Sequence, residues 1–176
     1  MNTEIEKIFN NDWQKKKIRN FQPLLVWSPI NARSKLKQLI HSASYRLDIY
    51  ALSLTDYQLI GSLAQAARRG VAVNILLSKQ NTKHLKKTIA YLRRHNVTIV
   101  IIAHPQIHAK VILVDYGDKD EKAYLGSTNL TKESLDKNRE LGVIIKNPMI
   151  LRVLQERFEK DMMKTKNPAL QPRRIF

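Results

Sequence analysis

At 176 residues, 43% of them hydrophobic, the chain is long enough for one globular unit with its own core, and its length argues against two. It contains no cysteine, which excludes disulfides and thiolate metal sites. Thirty-one Lys and Arg against 15 Asp and Glu give a formal charge of +16, a balance that attracts polyanions such as nucleic acid or anionic lipid headgroups.

The segment Met1–Lys17 mixes charges and lacks the apolar core of a signal peptide. No run approaches the ~18 apolar residues of a membrane span. A soluble, cytoplasmic protein is expected, able to make peripheral contact with an anionic membrane. Residues 1–20 are expected to form an N-terminal helix, 21–166 a single domain, and 167–176 a basic tail broken by proline.

Leu24–Ser28 reads as a short buried strand, and the following segment spaces Ala32, Leu36, Leu39 and Ile40 as one helical face, with Asn31 or Ser34 as its cap. Tyr45–Ser53 is a predicted strand. Leu59, Ile60, Leu63, Ala66 and Ala67 then form a helical stripe that stops at Gly70. Strand Val71–Ser78, helix Thr82–Arg94 and strand Val97–Ala103 continue the alternation. Ile107–Val114, Lys122–Leu125 and Glu140–Ile145 are three further strands without a clear helix between them. A helix over Met149–Lys164 closes the domain. The rhythm predicts an α/β fold: a single mixed, largely parallel β-sheet flanked by helices on both faces.

Ile5–Trp13 lines up with Leu154–Met162, matching Phe9 with Phe158 and Asp12 with Asp161. Either two amphipathic helices are alike by chance, or the chain opens with the closing helix of a preceding copy of the same unit.

The chemistry concentrates between Ile107 and Ile145. Residues two apart on a strand share a face, so His108 and Lys110 should project together. Asp115, at an odd offset from His108, should face away or lie beyond the strand end and serve as a supporting group. Gly126 is expected to admit close approach of backbone to a ligand, with Ser127 and Asn129 offering donors to phosphate oxygens. An imidazole beside a fixed ammonium and neutral donors suits attack on a phosphodiester, with Lys110, Ser127 and Asn129 stabilising charge on the non-bridging oxygens. Glu140 is the candidate to hold and orient His108.

His108-x-Lys110-x4-Asp115 followed by Gly126-Ser127-x-Asn129 resembles the HKD signature of the phospholipase D superfamily, over roughly residues 24–162. The likeness is to the second HKD half of bacterial phospholipase D-like and cardiolipin-synthase-like proteins. Glu140 lies where many members carry the acidic residue that positions the histidine. One departure is the longer spacing from Asp115 to Gly126, which Tyr116–Glu121 fills as an enlarged hairpin turn.

The resemblance implies a phosphodiesterase working through a covalent phosphohistidine, without metal or cofactor. It also implies two such histidines per site, one as nucleophile and one as general acid. His41, His84, His95 and His104 are assigned to surface or loop positions, so the second histidine is expected from a homodimer or from a second HKD unit. A phospholipid headgroup ester is the favoured substrate. A metal-independent endonuclease with the same chemistry, or a catalytically silent half that binds polyanions, are the alternatives.

Overall fold

The computed structural model describes residues 25–166; the expected N-terminal helix, the Phe9 and Asp12 matches and the tail lie outside these described residues. Seven strands form one sheet: β1 (Leu25–Ser28), β2 (Arg46–Ala51), β3 (Ala72–Ser78), β4 (Thr98–Ile102), β5 (Lys110–Val114), β6 (Lys122–Gly126) and β7 (Glu140–Ile145). Five helices accompany them: α1 (Ala32–His41), α2 (Tyr57–Arg68), α3 (Lys86–Arg94), α4 (Lys132–Asp136) and α5 (Pro148–Lys166).

The strand order is β1-β7-β6-β5-β2-β3-β4. β2, β3 and β4 pair in parallel, and every other neighbouring pair is antiparallel. Following these pairings across the sheet, β1, β2, β3, β4 and β6 run one way and β5 and β7 the other. The sheet is thus mixed, with most strands sharing a direction, yet parallel hydrogen bonding is confined to its β2–β4 half. β5 and β6 are joined by a hairpin turn that suits antiparallel neighbours, whereas β2, β3 and β4 are joined through helices.

Alternation along the strands supplies a separate core to each face. Leu47, Ile49, Ile75, Ile112 and Val114 pack with Leu36, Leu59, Leu63 and Leu92 of α1, α2 and α3. Their neighbours Tyr50, Leu76, Val111 and Leu113 pack with Leu151 and Phe158 of α5. Phe158 meets the Tyr50 ring edge-on at 5.2 Å, and Asp161 accepts the Tyr50 hydroxyl proton at 2.9 Å. The Phe and Asp matched in the internal likeness are therefore two of the residues with which α5 grips β2.

Local chemistry explains most boundaries. Asp56 accepts from the backbone N–H groups of Gln58 and Leu59 and so caps α2, while its other oxygen takes Arg33. Gly70, with φ +92, and Asn96, with φ 62, end α2 and α3 in the left-handed region. Three details differ from the expectation. Asn31 occupies the cap position of α1 but accepts from the Trp27 N–H behind it, and Ser34 bonds the Asn31 carbonyl, so neither hydroxyl nor amide caps the helix. The predicted helix from Thr82 begins only at Lys86, after a 3-10 turn at Lys79–Asn81. A short helix, α4, stands between β6 and β7, started by Thr131, whose hydroxyl accepts from the Ser134 N–H.

Candidate active site

β5 begins at Lys110, so His108 lies just ahead of the strand, where its side chain is exposed. The pair still comes together. The Lys110 ammonium donates to the His108 carbonyl at 2.7 Å and stands 3.1 Å from Nδ1 and 3.4 Å from Nε2 of the same residue. An ammonium has no lone pair, so the ring nitrogen facing it is the acceptor. Lys110 is 8% exposed, and burial pushes its pKa below the ordinary 10.5 while the Glu140 charge pulls the other way.

The recess into which Lys110 reaches is lined also by Ser53, Tyr124 and Asn129. Asn129 Oδ1 is buried there without a hydrogen-bond partner among the described residues. An amide oxygen only accepts, so the group that Asn129 can offer to a phosphate oxygen is its amide N–H.

Lys110, Gly126 and Gly142 form one row across β5, β6 and β7. The fully buried Tyr124 ring lies over the two glycines: a Cβ on Gly126 would stand 2.2 Å from its hydroxyl oxygen, and one on Gly142 2.2 Å from Cε2. The Thr128 N–H donates to the same hydroxyl at 3.4 Å. Gly126 therefore makes room for a tyrosine rather than for a ligand, which corrects its expected role. Motif spacing carries no direct signal for Tyr124, although two glycines in adjoining strand runs are the trace of a large ring packed across them.

The remaining expected residues divide. Ser127 is exposed, and its hydroxyl is tied to the Leu141 backbone, donating to the carbonyl at 3.3 Å and accepting from the N–H at 3.2 Å. Glu140 accepts from Ser134 at 3.1 Å and from Asn138 at 3.4 Å, and has no hydrogen bond to His108. Its place at the start of β7, two strands and roughly 10 Å from β5, explains why it acts on Lys110 through space instead. Ser134, which presents its hydroxyl to Glu140 from α4, was not legible in the motif.

Asp115 supports the fold. It has φ 48, and its carboxylate accepts the backbone N–H groups of Ser44, Tyr45 and Arg46 at 2.7, 3.0 and 2.9 Å, fastening the entry of β2 to the end of β5. The longer turn after it is held by its own bonds, with the N–H of Gly117, at φ 92, donating to Glu121. The β5–β6 register from Val114↔Lys122 to Lys110↔Gly126 is unbroken. His84 and His95 make other contacts or lie in other elements. His84 also has a lysine two residues on, Lys86, but it lies on the exposed turn entering α3, and Tyr91 stands where an aspartate would complete the pattern. His95 is bonded to Arg68 and the Tyr91 carbonyl. No cluster of three metal-ligating side chains occurs among the described residues.

The family pattern described as "Cardiolipin synthase, PLD-like domain" matches residues 36–162, most of the described chain. The chain belongs to the phospholipase D superfamily. This phospholipase D-like unit is 30% identical over 109 residues to a phospholipase D of Rickettsia bellii, covering 61% of this chain and 52% of that protein. It is 30% identical over 135 residues to cardiolipin synthase B of Escherichia coli, covering 70% of this chain and 32% of that one. It thus spans about half the length of the first relative and a third of the second. Among solved structures, the phospholipase D family member Nuc from Salmonella typhimurium superposes with a TM-score of 0.70 and 28% identity, over 77% of this chain and 90% of that chain.

Proposed function

We propose that the chain is a phosphodiesterase of the phospholipase D type, with His108 as nucleophile. An imidazole nitrogen of His108 attacks phosphorus and forms a P–N bond as the bond to the leaving alkoxide breaks. A second imidazole gives its proton to that alkoxide. Water then attacks phosphorus, its proton passing to the second imidazole; the P–N bond breaks, a phosphate monoester leaves and both rings return to their starting state. Lys110 and Asn129 stabilise the charge that gathers on the non-bridging oxygens.

The observation that carries this reading is the buried Lys110 ammonium set against an exposed His108, with Asn129 lining the recess into which Lys110 reaches. The second imidazole is the His108 of another copy or of another HKD unit. A paired arrangement is in keeping with the coverage of nearly all of Nuc by one such unit.

The phospholipid headgroup ester remains a substrate reading on the strength of the relatives described as phospholipase D and cardiolipin synthase. A nucleic acid is favoured by the +16 charge and by the resemblance to small endonucleases of the superfamily. The test of the common chemistry uses a small diester, bis(4-nitrophenyl) phosphate, with the unaltered chain and His108→Ala. Turnover lost in the variant supports the reading; equal turnover in both overturns it.

A further inference from the structure

Between Asp56 and Asp115 the chain carries nine Lys and Arg and no acidic residue. This acid-free span builds α2, β3, α3 and β4, the half of the sheet that ends at the β4 edge, and then runs into His108. Lys79, Lys83, Lys86, Lys87, Arg93 and Arg94 are all exposed, and none is paired with a carboxylate among the described residues. By contrast, Arg33, Arg46, Lys132, Arg152 and Arg157 elsewhere on the surface each have an acidic partner. Nine of the 16 net positive charges of the chain therefore fall within this span.

Two features give this surface a direction. The Gln106 amide donates to the Gln80 amide oxygen, joining the loop that carries His108 to the turn that carries Lys79. Beyond that turn Lys83, Lys86 and Arg93 border an open groove of about 390 Å³ floored by Ile89 and Ile101. The placement of Lys86 and Lys87 is unfavourable for α3 itself: they stand in its first turn, where the helix dipole disfavours cations, with no acidic residue and no side-chain cap. Cations held where the helix would reject them point to an external anion.

We infer that Lys79, Lys83, Lys86 and Arg93 form a track for the phosphates of a polynucleotide whose scissile diester lies at His108. The inference rests on the proposed phosphodiesterase reading and names its substrate class. Lys86 to Arg93 alone spans roughly 10 Å of helix axis at 1.5 Å per residue. That exceeds the ~3.4 Å phosphate spacing along one strand of a duplex, so the track meets more than one phosphate, a repeat of charge that one lipid headgroup does not offer. The most exposed aliphatic side chains, Met149, Val153 and Met163, are on α5 and do not line this groove.

The test measures binding of a single-stranded oligonucleotide by the full chain carrying His108→Ala, so that the strand stays whole. In that background Lys79→Gln/Lys83→Gln/Lys86→Gln is compared with a charge-matched control, Lys132→Gln/Lys137→Gln/Lys146→Gln. The three track ammonium groups make no hydrogen bond among the described residues, and circular dichroism verifies that each variant is folded. The track variant is expected to bind at least about tenfold more weakly than the control. Its salt slope should fall by about 2, near 0.7 for each lysine neutralised. Equal losses in both variants, or in neither, overturn the track. So does a track variant that loses binding to phosphatidylglycerol vesicles while keeping the oligonucleotide.

Small-diester turnover separates the two claims. Turnover dependent on His108 with no track effect leaves the catalytic reading standing and removes the track. Track-dependent binding with no turnover does the reverse.

Discussion

The Lys110 ammonium is bonded to the carbonyl of His108 at 2.7 Å while standing 3.1 Å from that residue's Nδ1. One cation thus fixes both the backbone and the ring of the residue two positions before it, and does so from a nearly buried position. Burial of an ammonium is unfavourable to the fold, so the site sets function against stability here. Lys110→Met is expected to abolish phosphodiester turnover while raising stability by about 1 kcal/mol at neutral pH. The sign follows from protonation. The lysine pKa is lowered in the folded state, so the unaltered protein gains stability as pH rises through that pKa towards 10.5. The advantage of Lys110→Met should therefore be largest below the lowered value and vanish above 10.5, read from urea midpoints across pH.

Asp115 gathers three backbone N–H groups at the start of β2. Asp115→Ala leaves all three without their acceptor and puts alanine at φ 48, so a loss of about 3 kcal/mol or more is expected. Asp115→Asn tolerates the backbone but keeps only one accepting oxygen, and should lose less. Thermal unfolding of both variants decides this; an Asp115→Ala protein as stable as the parent contradicts the structural role.

The Tyr124 ring across Gly126 and Gly142 makes a sharper steric demand. Gly126→Ala places a methyl 2.2 Å from the tyrosine oxygen and 2.6 Å from Cζ, so a cost of about 2–3 kcal/mol is expected. In a Tyr124→Phe background the clash with the oxygen disappears and the clash with Cζ remains. The cost should shrink without vanishing, a coupling that denaturant unfolding of the four proteins measures.

A site needing two imidazoles requires two units. Analytical ultracentrifugation of the full chain is expected to give twice its 20.4 kDa mass, with small-diester activity that falls on dilution together with the dimer. A monomer that turns over the diester contradicts the pairing.

Much of this was legible in the sequence because its signals are local. The strand–helix alternation from Leu25 to Ile102 is carried by apolar spacing, by Asp56 at a cap and by Gly70 at a helix end. The His108–Lys110 pairing survived even though His108 precedes β5, since two residues of extended chain bring the side chains alongside each other. What was not legible depends on neighbours distant in sequence. β5 inserts between β6 and β2, so the parallel half of the sheet stops at β2. Glu140 is placed by β7, two strands from Lys110, and bonds Ser134 and Asn138. Gly126 owes its identity to the ring of Tyr124 and to Gly142 across the ladder, a relation that no motif spacing encodes.

The central claim is that His108 becomes covalently bonded to phosphorus. Rapid alkaline quench of the protein during turnover of a small diester, followed by peptide mass spectrometry, tests it most directly. The account predicts an acid-labile phosphoryl adduct on the peptide containing His108, absent from His108→Ala. Turnover that proceeds with no adduct on that peptide and persists in His108→Ala would contradict it.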